Sequence, residues 1–571
     1  MKRGVMRRYD WSAGTLAILG LLVAFFAVFL FYPVGLMLRR AFEADGRFTL
    51  EFFGLLLASP LQREALANSL TIALTTTALT TVLALPLAHA MTRYRFPGKA
   101  LLSGLILVPM IMPPFVGAIG LKQLLAKFGS LNLVLMQIGW LPSGEPVDWL
   151  GRSGLAGIIL LQVFNLYPIL FLNVSAAMAN IDPTLREAAQ NLGAGGWRLF
   201  RTVTLPLILP GYFAGAILVF IWSFTDLGTP LIFGFSRVVP VQIFDAVTEL
   251  NTNPMGYALV VFVVALTLLL FILSKRVLAG RRYEMMARGH TAGTELATRP
   301  WQTALLWSAF GLVILLALLP HAMVIIHSLS GHWFFSVLPA DWTARHYGEV
   351  FGHELTASSI RNSLFYSSLS ALLDLVLGVL IAWILTRRRI PFAGLLDALA
   401  MLPLALPGLV LAFGYVAAFD SPIAWLNPRV NPTLLLIVSY SVRRLPYIVR
   451  SAYAGFQQTS VTLEEASANL GASPWRTLRR ITLPLVMANL VAGTVLTFSF
   501  AMLEVSDSLI LAMREQYFPI TKMIYQLLGR IEPDAPSVAC ALGVVGMLIL
   551  TTSLLVAGRI LGRRMGQLFR A

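Results

Sequence analysis

Glu187-Ala188-Ala189, three residues, Gly193, nine residues and Val203-Thr204-Leu205-Pro206 form a stretch that the chain contains twice. It returns as Glu465-Ala466-Ser467, three residues, Gly471, nine residues and Ile481-Thr482-Leu483-Pro484, each residue 278 positions on (187 to 465). In the first copy Asp182-Pro183 supplies a capping side chain and a first-turn proline. In the second, Thr462 and Glu465 have capping-box spacing. The glycine of each copy ends or bends its helix. Arg198 and Arg201, or Arg476, Arg479 and Arg480, come next, and Leu-Pro is expected to open the following apolar run at a position proline tolerates. Two short polar helices are therefore expected, near 182–196 and 462–474, each between apolar spans. One copy alone would read equally well as a re-entry loop without a partner. Two copies with identical internal spacing point to a pair of similar handles for soluble proteins.

The surroundings of the two copies are those of a membrane protein. The 571 residues are 57% hydrophobic and 12% charged, with mean hydropathy +0.77, whereas soluble domains carry about 25% charged residues. The net charge of +16 does not imply nucleic acid, because the basic residues sit at the ends of apolar runs, as the positive-inside rule expects, and no separate basic domain interleaved with aromatics stands out. A lone cysteine, Cys540, excludes an intrachain disulfide or a cysteine metal site. The uncharged run 12–38 is too long for a signal-peptide core and is read as an uncleaved first span.

Twelve apolar runs reach the length a span needs, about 20 residues: 12–38, 65–92, 100–121, 154–178, 207–233 and 256–274, then 302–328, 359–386, 395–418, 432–455, 485–512 and 538–560. The expected fold is all-α and polytopic, in two parallel six-helix repeats covering 1–285 and 286–571. Basic clusters at 3–8, 93–99, 186–201, 275–282, 387–389, 476–480 and 563–570 then fall on one side, the cytoplasm, with both termini. Arg39 and Arg40 fall on the other. The repeat extends beyond the polar helices. Asn68-Ser69-Leu70 matches Asn362-Ser363-Leu364, Thr92-Arg93 matches Thr386-Arg387, Pro109 and Pro113 match Pro403 and Pro407, and Gly120 matches Gly414, all 294 apart (68 to 362). The offset then falls from 294 to 278, so the first half holds 16 more residues after its third span, in the outward loop 122–152.

On these residues the chain resembles the fused permeases of type I ABC importers. The family's signature is Glu-Ala-Ala, three residues, Gly, nine residues and Ile-x-Leu-Pro, between the fourth and fifth spans of a six-helix core. The first copy departs only at Val203, the second only at Ser467. The resemblance implies that Glu187, Ala188, Ala189 and Gly193, with Glu465, Ala466, Ser467 and Gly471, form coupling helices that dock on two ATP-binding subunits at the cytoplasmic face. It implies a periplasmic substrate-binding protein as a further partner, and ATP and Mg only on the partner subunits. The chain shows no phosphate loop: Gly98-Lys99 is followed by Ala100 and lacks the upstream glycine. No catalytic residue, resident metal or cofactor is expected in it. The nearest likeness within the family is to ferric iron importers, with thiamine, aminoethylphosphonate, polyamine and sugar-phosphate importers of the same architecture.

The substrate pathway is less legible. Asp226, Glu504 and Asp507 are acids in the outer part of the fifth and eleventh spans, and intramembrane charges are rare and functional by default. Glu504 falls 278 beyond Asp226. Two readings stand: a paired acidic lining for a cation, or interior carboxylates bonded to neighbouring spans. Arg443 and Arg444, in the tenth span, are placed to neutralise the acids, and Asn165 lies in the matching span of the first half. His332, His346 and His353, on one outward loop, have no ligand spacing. An ion-coupled secondary transporter is the rival class, since it too can have twelve spans in two parallel halves. The loop 92–99 lacks the acid such carriers place there, and a channel would leave the duplicated helix without a role.

Overall fold

The structure is a computed structural model and describes residues 12–142, 144–151, 154–249, 254–279, 295–420 and 422–561. The expected boundary between halves, near 285, and the basic clusters at 3–8 and 563–570 lie outside those residues. Among the described residues ten helices are long and apolar enough to cross a membrane, eleven if a bent pair counts as one. Six belong to the first half: Ala13–Ala41, Pro60–Arg93, Pro114–Gln137, Leu155–Ala179, Gly196–Phe224 and Met255–Leu273. The second half adds Pro300–Ser328, Glu354–Arg387, Trp475–Met502, Ala535–Val556 and the bent pair Ala393–Leu404 with Gly408–Ala418. The expected tenth span is the helix Thr433–Gln458. Its 26 residues reach about 39 Å, enough to cross. It stands apart from the apolar set because it carries Arg443, Arg444 and Arg450.

The third and ninth spans differ from the single helices expected at 100–121 and 395–418. The third is broken into Lys99–Leu105, Val108–Ile111 and Pro114–Leu125, and the ninth bends by 97°. Pro109 and Pro113, with Pro403 and Pro407, remove the N–H groups a continuous helix needs. Lipid cannot satisfy the carbonyls so freed, and other spans do. Asn165 Nδ2 donates to Pro109 O at 2.9 Å, Tyr167 Oη to Ile106 O at 2.9 Å, and His321 Nε2 lies 3.2 Å from Pro113 O.

Within each half the second, fourth and fifth spans pack on one another, as do the eighth, tenth and eleventh. The first span of each half instead packs against the broken third span of the other. Gly120 and Gly414 mark the two crossings: a side chain on Gly120 would meet the Pro320 carbonyl, and one on Gly414 would meet Met37 Cε at 2.8 Å. Tyr415 Oη closes the second crossing by donating to Phe29 O at 2.8 Å. Apolar side chains such as Leu21, Val23, Leu74, Val82, Leu315 and Leu372 remain exposed on the outside of the bundle, as a lipid-facing surface requires.

Candidate functional site

The duplicated stretches form the polar helices Pro183–Asn191 and Val461–Asn469. Asp182 caps the first, accepting from Thr184 N at 2.9 Å, which holds its carboxyl below the ordinary value. The cap of the second is Ser460, accepting from Thr462 N at 3.3 Å, so Thr462 sits inside the first turn and the capping box expected from Thr462 and Glu465 does not form. Gly193 and Gly471 both adopt φ of 80°, the left-handed conformation that closes a Schellman end. Ala194 N donates to Ala189 O at 2.9 Å and Ala472 N to Ser467 O at 3.1 Å. Chain direction thus reverses at the same residue in both halves.

Glu187 and Glu465 are exposed, and so is an apolar set beside them. Leu185, Leu192 and Trp197 are 46%, 87% and 72% exposed, and Leu463, Leu470 and Trp475 are 47%, 89% and 68% exposed. These pairs all keep the 278 offset (185 to 463). Ser467 is buried and shares a 2.9 Å hydrogen bond with Thr477; the first half places Ala189 and Leu199 at those positions.

The Leu-Pro pairs open the α-helices Leu205–Phe224 and Leu483–Met502, as expected, but not the longer continuous helical spans that contain them. Those spans begin earlier, at Gly196 and Trp475, and Pro206 and Pro484 lie inside them. Wider π turns, Phe200–Thr204 and Leu478–Thr482, immediately precede the Leu-Pro pairs. The looser turn makes room for a proline ring in a continuous helix.

The fifth and eleventh spans end sooner than the expected 233 and 512. Their helices stop at Phe224 and Met502, and short helices Gly228–Phe233 and Ser506–Leu511 follow. Asp226 and Glu504 lie in the two gaps, not on a helix, and Asp507 lies on the first turn of the second short helix. Asp226 is partly buried and held by neutral donors: Gly228 N at 3.2 Å and Gln162 Nε2 at 3.1 Å, with Ser223 Oγ donating to Gln162 Oε1. Among the described residues no cation pairs with it. Glu504 is 4% exposed and ion-paired with both Arg443 and Arg444. Arg443 also lies 3.6 Å from Asp507, whose Oδ2 accepts from Ser439 Oγ at 2.9 Å. The Glu504 carbonyl takes hydrogen bonds from Ser508 Oγ at 2.6 Å and Thr521 Oγ1 at 2.8 Å. Where the second half has Arg443 and Arg444, the first has Asn165 and Leu166. The gaps meet between the halves: a methyl group on Gly228 would lie 3.0 Å from Val505 Cγ1 and from Phe115 Cδ2.

The Asn-Ser-Leu repeats serve these gaps in a way the sequence did not disclose. Ser69 Oγ accepts from Val239 N at 2.9 Å, and Ser363 Oγ from Ile520 N at 2.7 Å. Each serine caps the helix that leads back from the gap, Val239–Ala246 or Ile520–Leu528. Asn68 and Asn362 donate to Arg237 O and Gln516 O, both at 2.9 Å. The duplication of the tripeptide was the available signal. The three histidines after the seventh span take separate structural partners: His332 contacts Asp341 at 3.0 Å, His346 Nε2 contacts Ser330 O at 2.9 Å, and His353 Nδ1 accepts from Leu355 N at 3.3 Å. A cavity of about 610 Å³ opens on the first half between Glu64, Lys122, Lys127, Asp148 and Arg237.

Two interlocked bundles with broken spans at their centre and matched polar helices at one end define a duplicated transport permease. Residues 80–283 and 374–567 each match the family described as the binding-protein-dependent transport system inner membrane component, and the chain belongs to that family. It is 28% identical over 437 residues to the putative ferric transport system permease protein FbpB 1 of Haemophilus influenzae, covering 74% of this chain and 66% of that one. To the ferric transport system permease protein FbpB of Actinobacillus pleuropneumoniae it is 26% identical over 577 residues, 98% of this chain and 80% of that one. The molybdenum transport system permease protein ModB of Escherichia coli is 29% identical over 196 residues, 33% of this chain and 81% of that one. A solved bacterial ABC transporter that imports alginate aligns over 47% of this chain and 95% of its own at 19% identity, with a TM-score of 0.38. The chain is a multi-pass inner membrane protein and a permease subunit of an ABC importer.

Proposed function

We propose that the chain carries ferric iron, delivered by a periplasmic binding protein, into the cytoplasm under the drive of two separate ATP-binding subunits. The duplicated exposed face supports the drive: Glu187 and Glu465, each beside two leucines and a tryptophan at matching positions. Contiguous apolar side chains exposed beside charge mark a docking surface. Both polar helices, and both termini, then face the cytoplasm. ATP and Mg belong to the partner subunits, and this chain supplies no catalytic group. The cavity beside Lys122 and Arg237 is the reading's candidate contact for the binding protein.

Iron is supported by relatives named for ferric transport that align with 98% and 74% of the chain, whereas the molybdenum relative aligns with a third. Asp226 is the acid proposed to face the substrate, because Glu504 is already neutralised by two arginines. Glu504 and Asp507 instead hold the pathway wall of the second half. The decisive experiment reverses charge on both handles. With Glu187→Lys and Glu465→Lys together, co-purification of the ATP-binding subunits and uptake of radioactive ferric iron are both expected to fall at least tenfold. Undiminished uptake would remove the ATP-driven reading in favour of an ion-coupled carrier. Uptake of another substrate in place of iron would keep the drive and replace the cargo.

A further inference from the structure

The second polar helix is tied to its own half by an ion pair. Arg387, the last residue of the eighth span, meets Glu464 through Nε at 3.0 Å. Its Nη2 also donates to the carbonyl and hydroxyl of Thr459, both at 3.1 Å. The pair is well covered, with side chains 7% and 21% exposed.

The repeat carries Arg387 back to Arg93 (294 positions) and Glu464 back to Arg186 (278 positions). The first half therefore keeps the arginine at the end of the span and replaces its acidic partner with a second arginine. Among the described residues, neither Arg93 nor Arg186 has a carboxylate partner or a side-chain hydrogen bond. Burial first, and then the charge of Arg93, hold the Arg186 guanidinium below its ordinary value. One turn before Arg93, His89 presents a buried Nδ1 with no hydrogen-bond partner. The cap acid of this helix, Asp182, is engaged by the N–H and hydroxyl of Thr184. Like charges brought together at a surface cost free energy unless an anion joins them.

The direction of the cluster selects the anion. Leu185 and Leu192 lie on the exposed side of the helix, where a protein partner would sit. Position 186 matches 464, which turns toward the end of the span. That is the level of the bilayer surface, where basic pockets between spans take lipid phosphates and a guanidinium matches a phosphate through two parallel N–H donors. We propose that Arg93 and Arg186, with His89 beside them, form a phosphate site in the first half, filled by an anionic phospholipid headgroup or by free phosphate. The bound anion does there what Glu464 does in the second half: it ties the polar helix to the end of the second span. The proposal needs only that the arginines lie at the membrane surface, and is independent of the substrate and of ATPase docking.

The test uses the purified full-length chain in discs of neutral phosphatidylcholine, with phosphatidylglycerol or inorganic phosphate added separately. The readouts are retained lipid by native mass spectrometry and thermal unfolding. Wild type is expected to retain phosphatidylglycerol at least about fivefold better than the Arg93→Gln/Arg186→Gln variant, or to be stabilised by inorganic phosphate where that variant is not. The first result assigns the anion to lipid, the second to free phosphate. Arg186→Glu rebuilds the pair of the second half, and is expected to be as stable in neutral discs as wild type is with the anion, and indifferent to both additions. Equal lipid retention and equal phosphate response in wild type and the double glutamine variant would overturn the site. So would an Arg186→Glu protein as dependent on the anion as wild type. A double variant that fails to co-purify the ATP-binding subunits when expressed with them, while its anion response in discs is unchanged, would overturn the site and assign the arginines to a protein partner.

Discussion

The acid of the first half and the acid of the second occupy the same gap in the same span, yet are held in opposite ways. Asp226 rests on a backbone N–H and the amide of Gln162, so its charge is solvated by dipoles alone. Glu504 is clamped between Arg443 and Arg444, so its charge is cancelled. Position in the repeat therefore conserves geometry, not electrostatics. Two equal acids would offer a cation a symmetric ring. One compensated and one uncompensated acid give the two gaps different electrostatics, and a fused chain can maintain that difference because each half accepts substitutions separately.

The comparison breaks first at Glu504. Glu504→Ala leaves Arg444 largely buried without its acid partner and Arg443 with Asp507 alone, at 3.6 Å, a loss expected to cost about 3–5 kcal/mol. Expression and the thermal unfolding temperature in detergent will show it as the largest stability loss of any substitution in the gaps. Asp226→Asn keeps an oxygen for Gly228 N and leaves no unpaired cation, so its stability cost is expected to stay near 1 kcal/mol. Its effect is expected in uptake, with the polar helices still binding their partners. Equal stability losses for the two variants would mean that the arginines draw nothing from Glu504.

Much of this was legible in the chain. The polar helices, their glycine ends and the apolar runs follow from local chemistry, which survives in any tertiary setting. The breaks in the third, fifth, ninth and eleventh spans were less so. Pro109, Pro113, Pro403 and Pro407 announced a disturbance, but whether a helix merely kinks or separates into pieces depends on who takes the freed carbonyls. Asn165, Tyr167 and His321 do so from other spans. The gaps at Asp226 and Glu504 carry no proline at all. They exist because a carboxylate accepts backbone N–H groups ahead of it, from Gly228 and Asp507, an alternative to helix that short polar side chains offer. The crossing of each first span onto the other half left only Gly120 and Gly414 as a trace.

Those glycines sharpen the comparison at a second place. A methyl group on Gly120 meets a backbone carbonyl, at Pro320, which cannot step aside without moving the seventh span. The same group on Gly414 comes nearest the Cε and Sδ of Met37, the far end of a flexible side chain, with Pro33 Cβ next at 3.2 Å. Gly120→Ala is therefore expected to cost about 1–3 kcal/mol through overpacking, with Gly414→Ala below about 1 kcal/mol, because methionine readjusts readily. Unfolding temperatures of the two variants in one detergent decide it. A Gly414→Ala protein as unstable as Gly120→Ala would mean that the two crossings are equally rigid.

The smallest difference is inside the polar helices themselves. Ser467 and Thr477 share a buried hydrogen bond where the first half has Ala189 and Leu199. In the second half that bond fixes the polar helix to the turn that follows, whereas the first half has two apolar side chains at the matching positions. Ser467→Ala frees the Thr477 hydroxyl and is expected to cost about 1 kcal/mol; adding Thr477→Leu restores the first half's pair and recovers most of it. Ala189→Ser, the mirror change, adds a hydroxyl where the position matching Thr477 is Leu199, and is expected to bring no gain in stability. A double-mutant cycle across 467 and 477 measures the coupling. A coupling energy of zero would mean that the serine marks drift in the duplicated stretch, and a clear one that each half solves the same anchoring problem with its own chemistry.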